Sequence, residues 1–278
     1  MIRFRPMTAN DIPLGMRLKQ QAGWNQTEAD WRRCLDLEPD GCFVAEWNDL
    51  PVGTTTTCIF GPVAWVAMVL VEAGMRGRGI GKALMQHALA FLDGVGVRTI
   101  RLDATPLGQP LYEKLGFVEQ FPLTRYEGEL QGDGESGGVE TPRPDQIEEL
   151  LRLDREVTGA DRRKYLEHVS RDDTSALRVA AQDGRVIGFS IARSGSRAVQ
   201  LGVCLTDPNA GPRLFADACQ NHCGKHAYVD IPDGNVAALD LARALGLTSQ
   251  RQLMRMCRGP QVQERIPGLW ASSGPEKG

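Results

Sequence analysis

The chain of 278 residues lacks an excess of charge of either sign: 32 Lys and Arg stand against 35 Asp and Glu, a net charge of −3. The balance is even along its length. Residues 1–130 hold 13 basic and 15 acidic side chains, and the remainder 19 and 20. Neither half is basic enough for a broad nucleic-acid surface, and no run of like charge forms a tail. Long apolar runs are missing too. The first twenty residues mix Arg, Pro, Asp and Lys with apolar residues, which excludes a signal-peptide core there. The longest apolar stretch, Pro62 to Val71, is half of the ~20 residues that a spanning helix needs. Membrane insertion is not expected. The seven cysteines are odd in number and show no CxxC spacing, which suits free, buried thiols in a reducing, cytoplasmic setting. Cys219, His222, Cys223 and His226 lie in one segment that Gly224 interrupts. Zinc sites usually draw on two segments, so no metal is expected.

What is present is glycine, 31 residues of it, much of it in two places. One is Gly74 to Gly81. The other runs from Glu127 to Gly138 and is closed by Thr141-Pro-Arg-Pro144. The second has almost no large apolar residue with which to offset ordering entropy, so it reads as a linker over 128–142. The length fits two domains, 1–127 and 143–259, followed by a tail at 260–278. Thr8 is placed to cap a first helix reaching Lys19, and Thr27 a second reaching Leu37. Strands are expected at 42–47, 54–59, 63–71 and 99–102, with helices at 80–92 and 107–115. After the linker, helices are expected at 144–156, 161–169, 212–223 and 235–245. Strands are expected there at 176–181, 185–192, 199–204, 227–231 and 252–257. Hairpins followed by β–α–β in both halves predict an α/β chain with a mixed sheet, helices on both faces and a tandem duplication.

The loop Arg76-Gly-Arg-Gly-Ile-Gly81 sits between a buried strand and a helix. Such a junction offers unpaired backbone N–H groups at the positive end of a helix dipole, and pyrophosphate is the natural guest. Arg76, Arg78 and Lys82 add positive charge. A Walker loop is excluded, because it needs Gly at position 76 and Ser or Thr at 83, where Arg76 and Ala83 stand. The dinucleotide fingerprint GxGxxG is missed as well, since the glycines fall at 77, 79 and 81. Arg76, Gly79 and Gly81 meet the pattern [Arg/Gln]-x-x-Gly-x-[Gly/Ala].

That pattern, with Leu111-Tyr-Glu-Lys-Leu-Gly-Phe117 thirty residues on, resembles the GNAT superfamily of N-acyltransferases over residues 1–127. The resemblance implies acetyl-CoA as co-substrate. Its pantetheine amides would pair with Val69, Leu70 and Val71, and its pyrophosphate would rest on Arg76, Gly77, Arg78, Gly79, Ile80 and Gly81, with Lys82 opening the helix. Tyr112 takes the place of the tyrosine that protonates the departing thiolate. Many members carry Asn seven residues before that tyrosine; here the position is Thr105. Candidate bases for the acceptor amine are Asp103 and Glu72. Trp24, Asn25, Trp65 and Met68 are candidates for the acceptor pocket.

The second half is similar to the degenerate carboxy-terminal domains of bacterial tandem members, through Leu153-Asp154, Gly159 to Arg162 and Arg255-Met256. At the loop position it has Leu205 to Arg213 with one glycine, and at the tyrosine position Ala242. Asn235 stands at the family's Asn position. The resemblance thus implies an N-acetyltransferase acting on a small primary amine, monomeric or homodimeric, with its site in the first half. A non-catalytic CoA sensor or scaffold and a mycothiol-synthase-like tandem enzyme are the alternatives.

Overall fold

The computed structural model describes residues 1–132, 134–172, 177–207 and 209–274. Asp133 of the linker, Ala176 at the head of an expected strand, Pro208 in the second-half loop and residues 275–278 of the tail lie outside the described residues. The first half runs β1 (Ile2–Pro6), α1 (Ile12–Gln21), α2 (Glu28–Leu37), β2 (Cys42–Trp47), β3 (Leu50–Phe60), β4 (Val63–Val71), α3 (Ile80–Gly94), β5 (Thr99–Ala104), α4 (Gln109–Glu113) and β6 (Val118–Glu129). The second half runs β7 (Val139–Glu140), α5 (Ile147–Thr158), α6 (Arg163–Asp172), β8 (Leu177–Gln182), β9 (Arg185–Ser194), β10 (Val199–Thr206) and α7 (Gly211–Asn221). It continues with β11 (His226–Pro232), α8 (Val236–Ala244), β12 (Thr248–Arg258) and β13 (Leu269–Ala271).

One mixed sheet joins the halves in the order β1-β2-β3-β4-β5-β12-β6-β11-β10-β9-β8-β7, with β13 added to β10. Two contacts are parallel and repeat each other: Val63–Trp65 with Thr99–Arg101, and Val199–Leu201 with Ala227–Val229. The centre of the sheet is a reciprocal exchange. β12 of the second half lies between β5 and β6, while β6 of the first half lies between β12 and β11. On one face α1, α2, α5 and α6 share a single core around Leu18, Trp31, Leu151, Tyr165 and Phe189. On the other face, α3 covers Ala64, Val66 and Ile100, and α7 with α8 covers Leu201, Val229 and Ile231.

Several expectations are corrected. Thr8 caps a short 3₁₀ turn, Ala9–Asp11, and the first α-helix starts at Ile12 with Pro13 in its first turn, where a missing N–H costs nothing. β1 pairs with β2, and its alternation of Ile2, Arg3, Phe4 and Arg5 is a strand signal that the reading above passes over. β6 is likewise absent from that reading. Its last residues, Gly128 and Glu129, were assigned to the linker yet pair with Ala227 and His226. Leu130 is buried in the second-half core, and Val139–Glu140 joins the sheet, so the polar connection is shorter than expected. The tail is structural: Thr99 Oγ1 donates to Pro260 O at 2.8 Å, and Leu269–Ala271 is a strand.

A boundary placed in the linker therefore separates sequence, not sheet. Residues 1–142 alone would leave β5 and both edges of β6 without their partners, edges prone to aggregation. This fragment is expected to elute as aggregate and to show no cooperative thermal transition. Co-expression with residues 143–278 should restore a single transition by circular dichroism.

Candidate active site

The site begins with an irregularity in β4. Thr54 pairs with Leu70 but Thr56 with Ala67, so Met68 and Val69 together oppose Thr55. The extra residue is a β-bulge, and Met68 takes φ +51°, in the left-handed region. The run of threonines holds it: Thr54 Oγ1 donates to Met68 O at 2.9 Å and Thr55 Oγ1 to Ala67 O at 3.4 Å. β4 and β5 are paired only as far as Trp65 and Arg101. Beyond that point Val66 to Val71 face Leu102 and Asp103 across an opening.

At the end of this opening α3 starts at Ile80 with no side chain capping it. Gly77 and Gly79 have φ of +76° and +79°, values that side-chain-bearing residues rarely adopt, and a Cβ at either would meet nothing within 4 Å. The start of α3, whose first-turn amides no side chain caps, thus borders open space, as an anion site requires. The resulting cavity, about 680 Å³, is lined by Val66 to Val71, Arg76, Gly77, Gly79 to Lys82, Thr105 and Tyr112 among others. Its size falls within the range usual for small-ligand sites. Thr105 Oγ1 accepts from Gly108 N at 3.3 Å, the turn-capping that a hydroxyl can supply. Tyr112 packs edge-on to Phe117, and burial pushes its phenol up to about 12.

The remaining candidates fall in different places. Met68 and Trp24 line the cavity. Asn25 borders it, but its amide is spent on the second half: Nδ2 donates to Ala198 O at 3.0 Å, while Oδ1 accepts from Arg197 N at 3.0 Å and Ala198 N at 3.1 Å. Asn25 thus positions the α1–α2 loop. Trp65 is buried away from the cavity, its ring packed on the guanidinium groups of Arg255 at 4.7 Å and Arg101 at 5.3 Å. The Arg78 side chain lies over Trp47 at 5.9 Å, outside the cavity lining.

Both candidate bases are engaged. Asp103 accepts from Arg255 Nε at 2.8 Å and Nη2 at 2.9 Å, and Arg255 also holds Glu264, which bridges to Arg101. All four charges are nearly inaccessible to solvent. Glu72 receives hydrogen bonds from Gln21 and from Arg17 Nε, the latter at 3.1 Å, and these hold its carboxyl below the usual range, which makes it a weaker base. It does not line the cavity. Arg125, Arg251 and Leu253 do, none of them anticipated above. Arg125 and Arg251 come from strands at the exchanged centre, so no local motif marked them.

The matching opening in the second half is filled by the chain itself. Leu269 and Ala271 pair with Leu205 and Cys204 of β10, and Ser272 N donates to Asp230 O of β11 at 2.8 Å. A Cβ at Gly202 would overlap the Ser272 carbonyl, and one at Gly211, the first residue of α7, would overlap the Trp270 ring. Asn235 Nδ2 donates to Leu269 O at 3.0 Å and to Ile266 O at 3.2 Å.

The comparisons agree with this architecture. An acetyltransferase (GNAT) family model matches residues 14–117 and an acetyltransferase (GNAT) domain model matches residues 150–271. The chain belongs to the GNAT superfamily, as a tandem member. It is an acyltransferase, which displaces the reading as a non-catalytic sensor. Holothin acyltransferase from Pseudoalteromonas sp. (strain SANK 73390) is 26% identical over 245 residues, 86% of this chain and 82% of that protein. A structure from Pyrococcus horikoshii described as an acetyltransferase superposes with a TM-score of 0.86 at 24% identity, covering 100% of this chain and 96% of that one. A tandem GNAT protein from the clavulanic acid biosynthesis pathway gives 0.64 at 17% identity, covering 94% and 100%.

The buried charge cluster carries its own expectation. Arg255→Met leaves Asp103 and Glu264 without their central partner and should cost about 3–5 kcal/mol in urea unfolding. The carboxyls of Glu264 and Asp230 are held low by Arg255 and Arg125 against the opposing effect of burial. Their contribution is present above the ordinary carboxylate range and is lost as pH falls through their folded values. Stability of the parent chain should therefore drop on acidification below about pH 4.

Proposed function

We propose that the first half transfers an acetyl group from acetyl-CoA to the primary amine of a small molecule. The observation that carries this reading is the asymmetry of the two openings: one leads to an uncapped glycine turn, while the other holds residues 269–272. Acetyl-CoA supplies a thioester carbonyl as electrophile and a thiol as leaving group. The amides opening α3, with Arg76 and Lys82 beside them, receive the pyrophosphate, and the bulged edge of β4 receives the pantetheine amides. Tyr112, on the same cavity wall, directs its hydroxyl to the departing sulfur. A phenol near 12 stays protonated across the physiological range, as a donor must. Complete transfer to a thiolate, whose acid has a pKa of about 8.5, runs uphill, so the hydroxyl acts mainly by hydrogen-bonding the developing charge.

In this reading the acceptor lies against Trp24 and Gln26 of the α1–α2 loop, which line the cavity. With Asp103 held by Arg255 and Glu72 outside the cavity, the amine proton leaves to water rather than to a dedicated side chain. The relative named holothin acyltransferase supports a small-molecule acceptor, as does the size of the cavity, about 680 Å³. A mycothiol-synthase-like division of labour is disfavoured, because it needs a working cleft in the second half.

Incubation with acetyl-CoA and a panel of amines, read by free thiol release, tests the activity; no release with any amine removes the proposal. Tyr112→Phe should lower kcat by about 100-fold or more while CoA affinity changes less than threefold. On the alkaline side kcat of the parent enzyme should show no fall assignable to Tyr112 at the ordinary phenol range of about 10, because burial lifts its ionisation above that. Calorimetric titration should give one CoA per chain, and two equal sites would contradict the assignment to the first half.

A further inference from the structure

The cavity is unevenly charged. Its lining includes four basic side chains, Arg76, Lys82, Arg125 and Arg251, against one carboxylate, Asp103, which Arg255 already holds. Arg76 and Lys82 flank the glycine turn. Arg125 and Arg251 stand on β6 and β12, three and two strands from β4 on the other side of the opening. They are direct cross-strand neighbours, Arg251 opposite Arg125. Like charges placed so repel each other. Asp230, opposite Arg125 on β11, moderates this: it accepts from Arg125 Nε and Nη2, each at 2.7 Å, and from Gln200 Nε2 at 3.2 Å, and Arg251 also acts on it. Arg125 is fixed further over the Tyr228 ring at 5.1 Å. Two guanidinium groups, one locked in place and one less buried, thus border the far end of an otherwise largely apolar cavity.

We propose that the amine acceptor carries an anionic group, a carboxylate or a phosphate, received by Arg251 with Arg125 behind it. This rests on the reading of the cavity as an acyl-transfer site. A planar guanidinium binds either anion through two parallel N–H groups, and an anion here adds to the compensation that Asp230 begins. Arg251, Asn25's clamp and Arg125's partner Asp230 make the second half a contributor to acceptor choice, although its own opening is filled. The group also fixes the substrate's orientation, since the anion is held at one end while the amine points toward the bulge at Met68.

The test uses the full chain. Inorganic phosphate and succinate are titrated by calorimetry into protein saturated with CoA, so that the glycine turn is already occupied. Saturable binding of one of them, weakened tenfold or more in Arg251→Gln and partly kept in Arg251→Lys, is expected. Preference for phosphate or for succinate tells the two sources apart. Absence of binding, or binding that Arg251→Gln leaves unchanged, overturns the proposal. In the thiol-release assay an amino acid is compared with its amide, and an amino sugar with its phosphate ester. The anionic member of a pair should show at least tenfold higher kcat/KM, and Arg251→Gln should raise its KM with the KM for acetyl-CoA unchanged; equal values within pairs count against the proposal. Release of no thiol with every amine, by a protein that binds CoA, strikes the acyl-transfer reading instead, and the anion titration on the CoA-saturated protein still decides the present one.

Discussion

Backbone pairing of β12 between β5 and β6 is the constraint on which the rest of the molecule depends. Through it, the strand bearing Asp103 is bordered on one side by the opening from β4 and on the other by a strand of the opposite half. Parallel strands that diverge leave peptide groups unpaired, and such groups are costly unless water or a ligand meets them. The fold tolerates the divergence because the outer edge of β5 is tied down along Ile100 to Ala104 by β12. The exchange also delivers Arg251 and Leu253 to the lining of the first-half cavity, on alternate positions of one strand and hence on one face, and places Arg255 against Asp103.

The two halves show how one architecture is kept open or closed by a short segment. Both diverge after three parallel residue pairs. In the first, a bulge and two left-handed glycines leave the helix start bare. In the second, β13 supplies the missing strand, Trp270 covers the start of α7, and Asn235 fastens the segment by its carbonyl oxygens. Asn235 is thus spent on main chain, and the main chain is the protein's own.

The charge cluster of Arg101, Asp103, Arg255 and Glu264 is better understood as orientation than as stabilisation. Burying four charges carries a desolvation cost that a well-packed apolar group would avoid, and the mutual attraction roughly offsets it. What the cluster achieves is direction: it joins β5, β12 and the segment after β12, and it stacks on Trp65 of β4. Loss of one member leaves the others unpaired, which is where the energy is felt.

Elements with strong periodicity and clear punctuation were legible in the sequence. The helix capped by Thr27, the apolar strand ending at Val71 and the glycine turn before Ile80 needed only local rules, because capping, burial on both faces and positive φ are satisfied by neighbours in the chain. The place of Tyr112 followed instead from the resemblance of Leu111–Phe117 to the superfamily's motif. Trp65 and Asn25 were legible as unusual residues but not in their use, since cation stacking and clamping depend on Arg255 and Ala198, more than 170 residues away. The sequence by itself determined most of the strands and helices and the glycine turn before α3, but not β1, β6 or β13. Only the tertiary structure decided which strands are neighbours, that the tail fills the second opening, and that Arg125 and Arg251 share one cavity wall. Pairing between distant strands is set by the summed burial and hydrogen bonding of the whole sheet, and no local pattern encodes that sum.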